Sequence, residues 1–152
     1  MGAEYRENSE KKDIRLFRAW NEENNFFSSW TPCETFAPFD VDAIDKKGRK
    51  CKIELKYRDM PSNQYDSYFI EADKLADGLL FATIEGLIPL YVNFFDDNNV
   101  AIWRLDKLKE YPKKRKIHRA NKGYNVNDEM PCYSLPITSA YMSTFGRSNV
   151  NV

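Results

Sequence analysis

Histidine is nearly absent from this chain: 152 residues contain one, His118, set in a basic run. Placed there, it gives no basis for a Ser-His-Asp type site, and the chemistry of an enzyme would run on carboxylates, lysine and metal. Cysteine is scarce too. Cys33, Cys51 and Cys132 form no CxxC pair and have no matching histidines. They read as small apolar side chains in a reducing, cytoplasmic setting rather than as a disulfide frame or a zinc site. No apolar run approaches the roughly 18 residues that suggest a membrane-spanning helix. The segment MGAEYRENSEKK lacks the apolar centre of a signal peptide, and Arg6 stands where a myristoylation site carries Ser or Thr. Internal repeats, a Gly-rich phosphate loop and low-complexity tracts are likewise missing. What is present, 42% hydrophobic and 14% aromatic residues, suffices for a core. The reading is one domain over 1–152, with a basic C-terminal extension from about residue 106.

Net charge is also missing, since 23 basic and 23 acidic residues cancel. Their distribution is uneven. Residues 46–58 hold seven basic residues and one acid, residues 107–122 hold eight and one, and 59–99 hold eight acids and one lysine. Separated signs in a neutral total predict a positive surface facing an anionic partner and an acidic back.

The most structured stretch is Phe36 to Arg58, FAPFDVDAIDKKGRKCKIELKYR. It alternates with period two about a turn, predicting a hairpin. Asp45 to Arg49 fits a three-residue loop, with Lys46 and Lys47 in a type I turn and Gly48 in the left-handed position. The resulting register pairs Ala43 with Cys51, Val41 with Ile53, Phe39 with Leu55 and Ala37 with Tyr57 on an apolar face. On the other face it pairs Asp42 with Lys52, Asp40 with Glu54 and Pro38 with Lys56. A one-residue slip would mix the faces. Asp40 and Glu54 thereby become cross-strand neighbours at about 4.5–5.5 Å between Cβ atoms, where like charges repel. Lys56 is one diagonal step away. Two carboxylates and an amine at one spot provide what a hard divalent cation and an attacked phosphate require. Taken alone, the same residues also fit the wet face of an amphipathic hairpin.

Pro38-Phe39-Asp40 followed by Glu54-Leu55-Lys56 resembles the signature of the PD-(D/E)XK nuclease superfamily. Pro-Phe-Asp-Val-x-Ala-Ile is especially similar to the first active-site strand of archaeal Holliday junction resolvases. The resemblance covers the hairpin and the order of elements to about residue 105. It implies an α/β, restriction-endonuclease-like fold, a mixed sheet flanked by helices. It further implies Asp40, Glu54 and the Leu55 carbonyl as ligands of Mg²⁺, with Mn²⁺ as a substitute. Asp40, Glu54 and Lys56 become the catalytic set, with Lys56 orienting water. The implied activity is that of a Mg²⁺-dependent endonuclease hydrolysing DNA phosphodiesters, structure-specific in repair, recombination or phage DNA processing. A homodimer follows by analogy. The alternative is a nuclease-like domain that binds DNA or protein without cutting. A third class, a protein–protein adaptor, has only the aromatics near Phe26 and Trp30 in its favour. Acids on the first helix, Glu10 or Asp13, join the metal in many relatives, but here they read as solvated charge.

Elsewhere, residues 9–25 predict a helix capped by Ser9, with Ile14, Leu16, Phe17 and Trp20 on its buried stripe. Residues 26–34 read as a connector and 59–66 as a loop at the mouth of the site, from which Gln64 and Tyr65 are candidate substrate contacts. A second helix is expected over 68–82, with Ile70, Leu75, Leu79 and Ala82 inward and Gly78 as a weak point. The apolar run 88–95 predicts a strand buried on both faces, and 100–105 its hairpin partner. A short helix is expected over 106–111. The basic run 113–119 reads as a loop, and residues 130–145 as strand pieces packing on the sheet edge, ahead of a frayed tail. Lys46, Lys47, Arg58, Lys113, Lys114, Arg115, Lys116 and Arg119 are the candidate DNA-phosphate contacts.

Overall fold

The chain reverses at residues 45–49 as its glycine requires. In the computed structural model, which describes residues 11–118 and 129–146, Gly48 takes φ +79°. The Asp45 N–H donates to the Arg49 carbonyl at 3.0 Å, and the Gly48 N–H donates to the Asp45 carbonyl at 3.0 Å. The Asp45 carboxylate fastens the loop by accepting from the backbone N–H groups of Lys47 and Arg49. Strands β2 (Val41–Asp45) and β3 (Lys50–Arg58) pair antiparallel. Val41 faces Ile53, Asp42 faces Lys52 and Ala43 faces Cys51, as the sequence predicts. Asp42 and Lys52, partners in the predicted register, form an ion pair at 2.6 Å.

Below Val41 the expected ladder stops. The Asp40 N–H also reaches the Ile53 carbonyl, at 2.9 Å, so Asp40 and Val41 crowd one partner. An extra residue of this kind inverts the in–out alternation beyond it. Phe39 accordingly leaves Leu55 and turns to the opposite face, where it meets the ring of Phe81 edge-on. The expected Phe39–Leu55 and Ala37–Tyr57 pairs are therefore not formed; Ala37 lies in a turn, its N–H on the Glu34 carbonyl.

Six strands form the main sheet in the order β1-β2-β3-β5-β6-β9, with β1 Phe27–Pro32, β5 Ile88–Phe95, β6 Asn99–Arg104 and β9 Tyr141–Thr144. Among the described strands only β3 and β5 run parallel, paired from Cys51↔Ile88 to Arg58↔Phe95. The crossover between them contains β4 (Ser67–Glu71) and helix α2 (Ala72–Glu85). A parallel pair needs such a crossover, and it leaves both faces of the sheet covered. Every residue of β5 is buried. Leu90, Val92 and Phe94 join Leu16, Phe17 and Trp20 of helix α1 (Lys12–Asn24) in one core. Tyr91 and Phe95 join Phe39, Leu75 of α2 and Trp103 in the other. A three-stranded sheet, β4-β8-β7, completes the second layer, with β7 Lys113–His118 and β8 Glu129–Pro136. Leu135 brings it into the second core.

Several sequence expectations give way. Helix α1 begins at Lys12 with Lys11 as its cap; Ser9 and Glu10 lie outside the described residues. Residues 27–32 are an edge strand rather than a connector, because β2 leaves a free ladder for them. Residues 67–71 are strand β4, claimed by pairing with β8, so the second helix starts only at Ala72. Leu79 is consequently outside, 40% exposed. Gly78 is no weak point but a close-packing position. A Cβ there would stand 3.0 Å from Leu105 Cδ1 and 3.3 Å from Pro89 Cβ. Residues 106–111 form turns, not a helix. The basic run expected as a loop is strand β7, paired along its length with β8. Of the C-terminal pieces, β9 joins the main sheet edge as expected, while β8 builds the second sheet.

Candidate active site

Glu54 lies midway along β3, opposite Tyr91 of β5 in the parallel ladder. Its side chain is 14% exposed. Burial first, and then the negative charge of the adjacent Asp40 and hydrogen bonding with it, push its carboxyl up to about 8 against the lowering effect of the Lys74 ammonium. One oxygen, Oε2, is buried without a hydrogen-bond partner. Lys74 Nζ stands 3.3 Å from that oxygen, within ion-pair range but not aligned as a hydrogen bond. Lys74 instead donates to the Pro38 carbonyl, which ties the first turn of α2 to the chain just before Asp40.

Asp40 is held by backbone. Its Oδ2 accepts from the Leu55 N–H at 2.8 Å. That N–H lost its strand partner when the ladder ended, and a buried amide needs an acceptor. The carbonyl of a strand residue points to the same edge as its N–H, so the Leu55 carbonyl also faces the side that β2 has vacated. The sequence expected Asp40 and Glu54 to meet as a regular cross-strand pair. They meet instead through an irregularity that carries Asp40 onto the backbone of the Glu54–Lys56 segment.

A cleft of about 470 Å³ opens here, lined on the β3 side by Glu54, Leu55, Lys56 and Tyr57. Lys56 is exposed. The start of α1 contributes Lys11, Lys12 and Asp13 to the wall, and the β4–α2 junction contributes Glu71 and Lys74. Asp13 is half-buried, and its carboxyl is pushed up by burial first and by the charge of Asp40 second. The sequence reads Asp13 as solvated charge; the structure places it, half-buried, on the wall of the cleft, within reach of the Asp40 charge. Lys74 carries no signal in the sequence. Only the β4 strand, which delays the helix by four residues, places it here.

The candidate phosphate contacts divide. Lys46, Lys47, Lys113, Lys114, Arg115 and Lys116 are exposed. Arg58 is not: it is 6% exposed and points inward. It donates to Asn93 Oδ1, to the Phe69 carbonyl and to the Tyr91 hydroxyl. Its place on the alternating strand sends it to the same inner face as Glu54. Arg119 lies outside the described residues. Cys51 and Cys132 are buried, and all three cysteines are free. Among the described residues, no helix is long and apolar enough to cross a membrane.

No protein-family model matches the sequence, and no curated protein matches it. Among solved structures, the chain is similar to that of Archaeoglobus fulgidus Hjc, a Holliday junction resolvase from an archaeal hyperthermophile. The two are 14% identical with a TM-score of 0.54, and the match covers 85% of this chain and 87% of that one. The mixed six-stranded sheet with helices on its faces, the parallel β3–β5 pair and this match together identify the fold as restriction-endonuclease-like.

Proposed function

We propose that the chain is a metal-dependent nuclease acting on DNA, with Asp40, Glu54 and Lys56 as its catalytic residues. The observation that carries this reading is the buried Glu54 carboxyl beside the Asp40 carboxylate, whose Oε2 accepts no well-aligned hydrogen bond and has only the Lys74 ammonium, at 3.3 Å, to offset it. Two acids sharing one desolvated spot, one of them driven to hold a proton, are a poor structural arrangement and a good cation seat. Among the described residues, no three His, Cys, Asp or Glu side chains cluster tightly enough to enclose an ion by themselves. A two-carboxylate seat suits Mg²⁺, which keeps several waters and is usually bound by one or two carboxylates plus substrate phosphates. Asp40, Glu54 and the Leu55 carbonyl are the groups that would hold it. When bound, a divalent cation polarises a phosphate oxygen and makes water a usable nucleophile at neutral pH.

The chain's own residues do the rest. The Leu55 N–H fixes the Asp40 carboxylate, so its orientation is set before substrate arrives. Glu54 gives up its proton when a cation takes its place. Lys56, at the exposed rim, orients the attacking water and counters the negative charge that builds on phosphorus. The exposed lysines of the β2–β3 loop and of β7 bind phosphates and set register without reading sequence.

Lys74 favours a second reading. Its ammonium stands 3.3 Å from Glu54 Oε2, where a cation is wanted, and so competes with a metal for that seat. Incubation of the purified chain with single-stranded, duplex and branched DNA separates the two. Cleavage with Mg²⁺ or Mn²⁺, abolished by chelation, supports the first. Retained DNA binding with no cutting under any of these conditions supports the second.

A further inference from the structure

Beyond Lys56 on the same face of β3 lies Arg58, a buried cation without a counterion among its described partners. Its hydrogen bonds go to an amide oxygen, a carbonyl and a hydroxyl, all neutral. The guanidinium lies against the rings of Phe69 and Tyr68, with 4.8 and 5.3 Å to their centroids. Next to it, Asn93 is fully buried and its Nδ2 donates to nothing. Among the direct partners of the guanidinium, donors and positive charge thus exceed acceptors, and a buried charge of this kind calls for an anion.

Arg58 lines a second cavity of about 430 Å³, within the range of small-molecule sites. Arg115 of β7 stands at its wall with Tyr65 and Tyr68, and the carboxylate of Asp66 is set against the two arginines. Phe69 borders both this cavity and the catalytic cleft, so the two adjoin. Tyr65 is 55% exposed, yet its position is set. Its N–H reaches the Tyr68 hydroxyl at 3.3 Å, and the two rings meet edge-on at 6.0 Å. The loop that carries it is pinned by Ser62, whose N–H and hydroxyl both donate to Asp97.

We infer that this cavity is a subsite for an unpaired nucleotide of the DNA strand, its phosphate on Arg58 and Arg115 and its base stacked on Tyr65. The inference rests on the nuclease reading for its substrate and adds a preference to it. A base inside a duplex offers no free face to Tyr65, whereas a single-stranded or splayed nucleotide does. The subsite therefore selects DNA with an unpaired nucleotide beside the attacked phosphate.

The test is binding by the full chain, in EDTA, to a single-stranded oligonucleotide and to a blunt duplex of the same length, read by fluorescence anisotropy. Tyr65→Ala and Arg115→Ala are both surface changes that leave the core alone. Tyr65→Ala is expected to weaken single-strand binding roughly fivefold or more, as loss of a base-stacking ring does, and Arg115→Ala to weaken it and flatten its salt dependence, as loss of a phosphate contact does. Tyr65→Ala should leave duplex binding within twofold, and Tyr65→Phe should restore the single-strand affinity. Equal loss on both substrates, or single-strand binding indifferent to Tyr65, overturns the subsite. A chain that cuts nothing but shows the Tyr65 effect keeps the subsite and rejects catalysis; a chain that cuts without that effect does the reverse.

Discussion

The Leu55 amide donates to the Asp40 carboxylate at 2.8 Å, so an acid on one chain segment completes the backbone of the next. The bond shows how the site is built. A strand that stops at Val41 exposes an N–H and a carbonyl on its neighbour, and Asp40 is the residue placed to answer the first. Asp40 is thus both a structural acceptor and a candidate metal ligand, and a substitution must separate the two roles.

Asp40→Asn does so. The amide keeps an oxygen for the Leu55 N–H but removes the negative charge. Cleavage should fall by about 100-fold or more, the scale at which loss of transition-state electrostatics is felt. The melting transition should stay within about 1 kcal/mol of wild type, as expected when no buried hydrogen bond is lost. Asp40→Ala loses the acceptor as well, and should be less stable than Asp40→Asn by about 1–3 kcal/mol. Parallel melts and cleavage assays of the two variants check this; equal stability would remove Asp40 from its structural role.

Glu54 sets a pH dependence of the opposite sign to the usual carboxylate. Its folded value of about 8 lies above the ordinary 4.5, so between these limits the native state holds a proton that the unfolded chain releases. Stability therefore falls as pH rises from about 4.5 to about 8. Glu54→Gln cannot ionise and escapes this loss. In the absence of metal the variant should exceed wild type by about 1–3 kcal/mol at pH 9 and match it near pH 4. Mg²⁺ competes with the same proton, so it should raise the wild-type melting temperature more at pH 9 than at pH 6 and leave the variant unmoved. Urea titrations at the two pH values, with and without Mg²⁺, decide the point.

The parts of this arrangement legible in the sequence are those fixed by local chemistry. Gly48 set the loop, the loop set the Val41–Ile53 register, and the apolar run at 88–95 announced a strand buried on both sides. What was hidden depends on distant partners. Ser67 to Glu71 alternates no better as strand than as the start of a helix, and only β8, more than sixty residues on, decides for strand. That decision moves Leu79 outward and brings Lys74 to Glu54. The irregularity at Asp40 was invisible for a related reason. Pro38-Phe39-Asp40-Val41 continues the alternation, so its break follows from the second core claiming Phe39 against α2, not from any turn residue.

The loop over the second cavity should loosen when its anchor is removed. Slight burial works to raise the Asp97 carboxyl, but donation from the Ser62 hydroxyl and N–H and from Asn99 outweighs it and holds the group below the ordinary carboxylate value. A lowered value gives stability that is present above the unfolded value and lost as pH falls through the folded one. Because Asp97 is exposed, Asp97→Ala should cost only about 0.5–1 kcal/mol at pH 7. The gap to wild type should close as pH falls below the ordinary carboxylate value and through the lower folded one, where the native carboxylate is also protonated. Amide exchange at residues 60–65 should quicken in the variant at neutral pH. Unchanged protection there would mean that the loop is held by Tyr68 and its own turns instead.

Strand β7 offers the cleanest measure of how the chain meets DNA. Lys113 and Lys114 sit at successive positions, so their side chains leave opposite faces of an edge strand, and both are exposed. Arg115 is turned to the second cavity and is left intact in this test. If the pair binds phosphates, Lys113→Ala/Lys114→Ala should weaken binding alike for every DNA sequence. The slope of log affinity against log salt should flatten by about 0.9 for each phosphate no longer neutralised, near 2 for the pair on duplex. Engagement of only one face of the strand would halve that change. The single variants then show which face is used, because the lysine turned away from DNA leaves the slope unaltered. An unchanged slope in the double variant would place the phosphate path on the β2–β3 loop, where Lys46 and Lys47 are the next pair to replace.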